Sequence, residues 1–235
     1  FKQKKEQDNV DTLFRQLVRS HDKEETWQLL LEHVRRTQGD ILTFTRDTFR
    51  SITQGLMHEN MKELRAATQA IDDEKALWKR YRRKEILGMR KIDYLLAVEK
   101  NTWFHLGCNS ITQIIYGLKR MLEPCVEHVD NNFKPLPQDY VDELIPVCND
   151  VDRFLEAACR MITEGDFKNV DELLVEGNAV KSRISQIRHS QQDRIQREDS
   201  NIKLALLYLS TLQETQELIS ISRHLLRASK RFQTQ

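Results

Sequence analysis

With 235 residues and a mass of 27.8 kDa, the chain is long enough for one large domain or two of about 100–150 residues. Charged residues make up 31% and the apolar set 39%, whereas glycine (7) and proline (4) are scarce. The pair averages ~12% of an ordinary sequence, so sandwiches, barrels and many-stranded α/β folds, which need frequent tight turns, are excluded and an all-α fold is expected. Lys+Arg 37 against Asp+Glu 36 leaves a net charge of +1, without the basic excess on which a nucleic-acid binder relies, so no nucleic acid is expected as a partner.

In chain order, Val10, Leu13, Phe14, Leu17 and Val18 recur at helical spacing and predict a short amphipathic helix. His21-Asp22 ends it, with Asp22 as N-cap of the next helix and Glu25 placed as in a capping box. Trp27, Leu30, Leu31 and Val34 form one face of that helix, continued by Ile41, Phe49, Ile52 and Leu56, with Gly39 as an expected break. Asn60 is placed to cap a third helix carrying Leu64, Ala67, Ile71, Leu77 or Trp78, Tyr81, Met89 and Ile92, and a turn is expected around Leu96–Glu99. The next helix runs from Trp103 to Val129, and Pro124 inside it is expected to kink it. Asp130 to Pro137 holds two of the prolines and an Asn/Asp cluster and reads as the main linker. Three more stretches follow: Gln138 to Thr163, a helix after Glu164-Gly165-Asp166 ending near Gln192, and a last helix from Ser200 to Arg231.

No run of 18 apolar residues is present, so no transmembrane span is expected. The first residues, Phe1-Lys2-Gln3-Lys4-Lys5-Glu6, do not form a signal peptide, and a start at Phe rather than Met suggests a piece of a longer protein. The four cysteines form no CxxC pair and read as buried thiols in a reducing compartment. The two halves share a pattern: Met61–Lys84 overlays Glu164–Ile187, pairing Leu64 with Phe167, Ile71 with Leu174, Leu77 with Val180 and Tyr81 with Ile184. This reads as a duplicated three-helix unit, divided into a lead-in at 1–24, a first unit at 25–132 and a second at 133–235.

The chain carries no glycine-rich phosphate loop, HExxH or GxSxG, and its histidines are dispersed, so a non-enzyme is expected. Carboxylates at helical spacing on facing helices can build a metal site in a bundle core; the candidates are Asp72 and Asp73, beside Glu74, and Glu214 and Glu217, with His105 and Asn109 facing them. The strongest charge feature is Lys79-Arg80-Tyr81-Arg82-Arg83-Lys84, extended by Arg90 and Lys91. Its cations, Lys79, Arg80, Arg82, Arg83 and Lys84, suit an anionic lipid surface or a phosphate-bearing partner. The same residues also suit a solvated helix face whose stems cover apolar surface, with Trp78 and Tyr81 turned to the core.

Two tandem three-helix units, carboxylates along the helices, and a last helix ending Ile221-Ser222-Arg223-His224-Leu225-Leu226 resemble the PhoU family of phosphate-uptake regulators. Trp103-Phe104-His105-Leu106-Gly107-Cys108-Asn109-Ser110 and Glu127-His128-Val129-Asp130-Asn131-Asn132-Phe133 are similar to the cytoplasmic C-terminal PhoU-like domain of Bacteroides-type sodium/phosphate cotransporters. The resemblance covers residues 25–232. It implies a fold of two PhoU-like three-helix bundles and a regulatory domain on the cytoplasmic side of the inner membrane that modulates phosphate uptake. Its partners would be the transmembrane domain of the same transporter chain, an anionic lipid surface and a second copy in a homo-dimer. The alternatives are a free-standing PhoU-type adaptor and a metal-binding helical bundle. Family members hold iron or zinc on an acidic E/DxxxD motif in each repeat. Here Gln213 stands where the first carboxylate would be in the second repeat, so the resemblance carries the fold and the regulatory context but no cofactor.

Overall fold

The computed structural model describes the backbone of residues 2–197 and 201–235 and the side chains of 9–196 and 201–235. Among the described residues there are seven helices and no strand: α1 (Lys2–Arg19), α2 (Lys23–Met57), α3 (Met61–Lys91), α4 (Tyr94–Asp130), α5 (Gln138–Glu164), α6 (Val170–Arg197) and α7 (Ile202–Gln233). Ser200, the expected start of the last helix, lies outside the described residues, as does Phe1. The sixth helix runs on past Gln192 to Arg197.

The helix boundaries follow their capping residues. The Asp22 side chain accepts from Glu24 N, and Asn60 accepts from Glu63 N, each satisfying a backbone donor that the first turn leaves without a partner. Glu25 does not close a capping box; its carboxylate accepts from Ser20 Oγ instead. The turn expected around Leu96–Glu99 falls earlier, at Ile92-Asp93, because Asp93 accepts from Leu95 and Leu96 N and starts α4 there. The expected break at Gly39 does not occur. Gly39 lies inside α2, where a Cβ would collide with Thr163 Cγ2 of α5, so glycine is there for a close helix crossing. Gly165 ends α5 in the left-handed region at φ 67°, a conformation open to glycine at little cost. Residues 131–137 form the non-helical linker, and α4 continues past Pro124 to Asp130.

Helices α2, α3 and α4 pack against one another pairwise, and so do α5, α6 and α7. The sets are joined by α2 on α5 and by the extensive α4–α7 contact, while α1 lies over α2 and α3. Buried apolar residues of all seven helices form one cluster, including Leu17, Leu42, Ile52, Leu64, Ile114, Phe154, Ile184, Tyr208 and Phe232. Between α2 and α5, Arg46 and Arg50 both reach Asp152, at 3.0 and 2.8 Å; these bonds hold the Asp152 carboxyl below its ordinary range. Interior hydroxyls are satisfied locally: Thr45, Thr53, Thr211, Thr215 and Ser222 each donate to the carbonyl one turn back. They therefore enter the core without orphaned donors. No described helix is long and apolar enough to cross a membrane.

Candidate functional site

The cationic run lies in the second half of α3, where the 3.6-residue period spreads successive side chains around the axis. Trp78, Tyr81 and Met89 turn inward, as the apolar stripe predicts, and Trp78 Nε1 donates to Thr112 Oγ1 of α4 at 3.1 Å. Lys79, Arg80, Arg83 and Arg90 are exposed and Arg82 half-buried. Leu87 is exposed on the same outer face. Lys84 differs from the rest. It turns toward α1, where its Nζ lies 2.6 Å from Asp11 Oδ1 and 4.9 Å from the centre of the Phe14 ring. It is the member of the run that enters an ion pair among the described residues, and it holds α1 on α3. Lys91 is likewise committed, donating to the carbonyls of Leu17, Val18 and Ser20 at the end of α1.

Beneath the cations lies a buried carboxyl. Glu85 is 2% exposed; one of its oxygens accepts from Thr37 Oγ1 at 2.6 Å and lies 2.9 Å from His33 Nδ1. His33 is also buried, its ring edge-on to Tyr81 with centroids 5.7 Å apart. Its Nε2 has no hydrogen-bond partner among the described residues. Although it directly follows the cations in sequence, Glu85 is buried, one turn past Tyr81. Half-buried Glu74 sits further back along α3, its carboxyl pushed up to about 7 by burial and by the neighbouring Asp40.

The four candidate metal ligands do not come together. Asp72 is exposed beside Lys119 and Glu123 of α4, and Asp73 accepts from Gln69 at 2.9 Å. Glu214 lies against Arg120 of α4, with Nε and Oε1 3.4 Å apart, while Glu217 is exposed. His105 and Asn109 are exposed on α4. Among the described residues no three His, Cys, Asp or Glu converge. The donor set does not fit an iron or zinc cluster: the candidate carboxylates are dispersed, Glu214 already has the Arg120 guanidinium beside one oxygen, and Gln213 contributes no charge. The cysteines are free, with Cys108 and Cys125 buried and Cys148 and Cys159 half-buried. Burial pushes the Cys125 and Cys148 thiols up to about 12 and about 11, so neither supplies the thiolate that nucleophilic or metal chemistry requires.

Neither the models of known protein families nor the curated proteins match this chain.

Proposed function

We propose that the chain is a regulatory helical domain, and more specifically a PhoU-like cytoplasmic domain of a sodium-dependent phosphate cotransporter, one that modulates uptake without catalysing a reaction. The observation that carries this reading is the pairing of two three-helix sets, α2–α4 and α5–α7, through α2 on α5 and α4 on α7. This is the arrangement that two tandem units would form on burying their open faces together. In this reading residues 25–132 and 133–235 are the two repeats. The partner is the transmembrane domain of the same transporter chain, with a second copy in a homo-dimer as a further contact. Lys79, Arg80, Arg82 and Arg83 support an orientation with the outer face of α3 toward anionic lipid, since cations near such a surface each contribute about 1 kcal/mol. Lys84 adds little to that face because Asp11 already neutralises it.

The test lies in the gene and in the cell. The reading frame upstream of Phe1 is expected to encode several spans of about 20 apolar residues, and deleting the present 235 residues is expected to change sodium-dependent phosphate uptake by whole cells. A start codon just upstream of Phe1, or uptake unaltered by the deletion, overturns the transporter reading.

A further inference from the structure

A buried guanidinium ordinarily faces a carboxylate, because its desolvation is costly unless charge and hydrogen bonds replace water. Even the half-buried Arg46 and Arg194 have carboxylate partners, Asp152 and Glu143. Arg223 on α7 has neither, although only 8% of it is exposed. Its Nε donates to the carbonyl of Leu174 on α6 at 3.1 Å, a neutral partner. The room for it is made by Gly177, where a Cβ would lie 2.8 Å from Arg223 Cδ and 2.9 Å from Phe154 Cε2. One turn along α7 from Arg223 is exposed Arg227, and one turn along α6 from Gly177 is half-buried Lys181. Exposed His224 completes the group. Lys181, Arg223 and Arg227 enter no ion pair among the described residues, and the carboxylate that acts on His224 is exposed Glu217, two turns back on α7.

We propose that Lys181, Arg223, His224 and Arg227 form a binding site for a phosphate-class oxyanion at the α6–α7 seam. α6 and α7 run antiparallel, with Gln216 against Lys181 and Arg223 against Leu174, so Lys181 and Arg227 flank Arg223 on either side along the seam, and Gly177 makes room for the Arg223 stem against α6. Planar guanidinium donors match the geometry of tetrahedral oxyanions. Burial, and then Arg227, hold Arg223 below its ordinary value, and burial, Arg227, Arg223 and Lys181 do the same to His224 despite Glu217. A neutral imidazole can still donate one N–H to the bound anion. The site stands whether or not the chain belongs to a transporter, since it concerns a ligand and not the rest of the gene product.

The ligand's phosphate could be free or part of a lipid headgroup, and two measurements separate them. Inorganic phosphate titrated into the chain, with the His224 ring followed by NMR and chloride at matched ionic strength as reference, is expected to give a saturable shift. Lys181→Gln with Arg227→Gln, at side chains that hold no ion pair, removes two charge-assisted donors. With two charge-assisted hydrogen bonds lost, it should weaken phosphate binding at least about tenfold while leaving the phosphate-free melting temperature unchanged. Should the double variant melt early, Arg227→Gln alone carries the test. The second measurement is sedimentation with phosphatidylglycerol and with phosphatidylcholine vesicles: retention on the former that the same substitutions abolish identifies a lipid phosphate. The proposal is overturned if phosphate does no more than chloride and vesicle retention is the same in wild type and variant. Saturable binding that the substitutions leave intact overturns it as well, since the anion would then lie elsewhere.

Discussion

The two three-helix sets each bury an ionisable side chain between helices, and they accommodate it differently. In the α2–α4 set, Glu85 is met from α2 by Thr37 and His33, and α1 closes over the histidine with Phe14, 6.5 Å from it. In the α5–α7 set, Arg223 meets one carbonyl and is flanked by further cations. The first arrangement is saturated on the side of the carboxyl and belongs to the scaffold. The second leaves donor capacity and charge in excess at a helix seam, which is what an anion could use. Burial of a charge therefore has two meanings in one molecule, and the partners decide between them.

The largest expected effect tests the saturated side. Glu85→Ala leaves His33 and Thr37 without their partner in the core, and breaking a buried pair from one side costs about 3–5 kcal/mol. Urea unfolding should register that loss, and Glu85→Leu combined with His33→Leu and Thr37→Val should recover most of it. Arg223→Met strands only the Leu174 carbonyl, so its cost should stay near the roughly 1–3 kcal/mol of one unsatisfied group. Equal losses for Glu85→Ala and Arg223→Met would remove the contrast.

Next in size is a dependence on pH. The Glu74 carboxyl is raised to about 7 in the folded chain by burial and Asp40, from an ordinary 4.5. The folded state therefore holds the proton more tightly than the unfolded one. The contribution to stability is full below pH 4.5, falls as pH rises through that value toward 7, and is gone above it. Each tenfold difference in proton affinity between the two states is worth about 1.36 kcal/mol, so the swing is at most about 3 kcal/mol. Glu74→Gln should flatten the stability profile between pH 4.5 and 7 and make the variant more stable than wild type at about pH 8. A profile unchanged by the substitution would exclude Glu74 as its source.

The smallest effects distinguish two glycines inside helices. At Gly117 the nearest obstacle to a Cβ is Arg120 Nη2 at 3.6 Å, an ordinary contact, so Gly117→Ala should gain up to about 1 kcal/mol of helix propensity. At Gly177 the same propensity gain meets Arg223 and Phe154 inside 3.0 Å, and overpacking of about 1–3 kcal/mol outweighs it. Gly177→Ala should melt below wild type and Gly117→Ala above it.

Much of this architecture is legible in the spacing of residues. Asp22 and Asn60 declare helix starts, Gly165 an end, and Trp78 and Tyr81 the inward face of α3. The turn expected around Leu96–Glu99 misses the boundary by a few residues: exposed Leu95 and Val98 already belong to the first turns of α4, and Asp93 is the cap that marks its start. Gly39 reads as a break because a sequence does not reveal that another helix will approach it. The candidate sites are less legible, for a related reason. Glu85 continues the stripe of Trp78 and Tyr81, and Arg223 lies between buried Ser222 and exposed His224. A charged residue in an inward register is assumed to point outward until its partners are known, and those partners, His33 and Leu174, come from 52 and 49 residues away.

Two lysines flank the corner between α3 and α4, and each plugs the end of a distant helix. Lys91 donates to the last carbonyls of α1, and Lys100, 4% exposed, donates to Arg231 O at 3.1 Å and Thr234 O at 2.6 Å at the end of α7. An ammonium at a helix C-terminus is favoured by the negative end of the helix dipole as well as by the carbonyls themselves. Mechanically, the corner is a node to which the first and the last helices are both anchored. A load applied there is divided between α1 and α7, and α4 cannot swing away from α7 at this end without withdrawing a buried ammonium from both its acceptors. Any hinge between the two sets is therefore confined to the opposite end, where α4 runs into the proline linker.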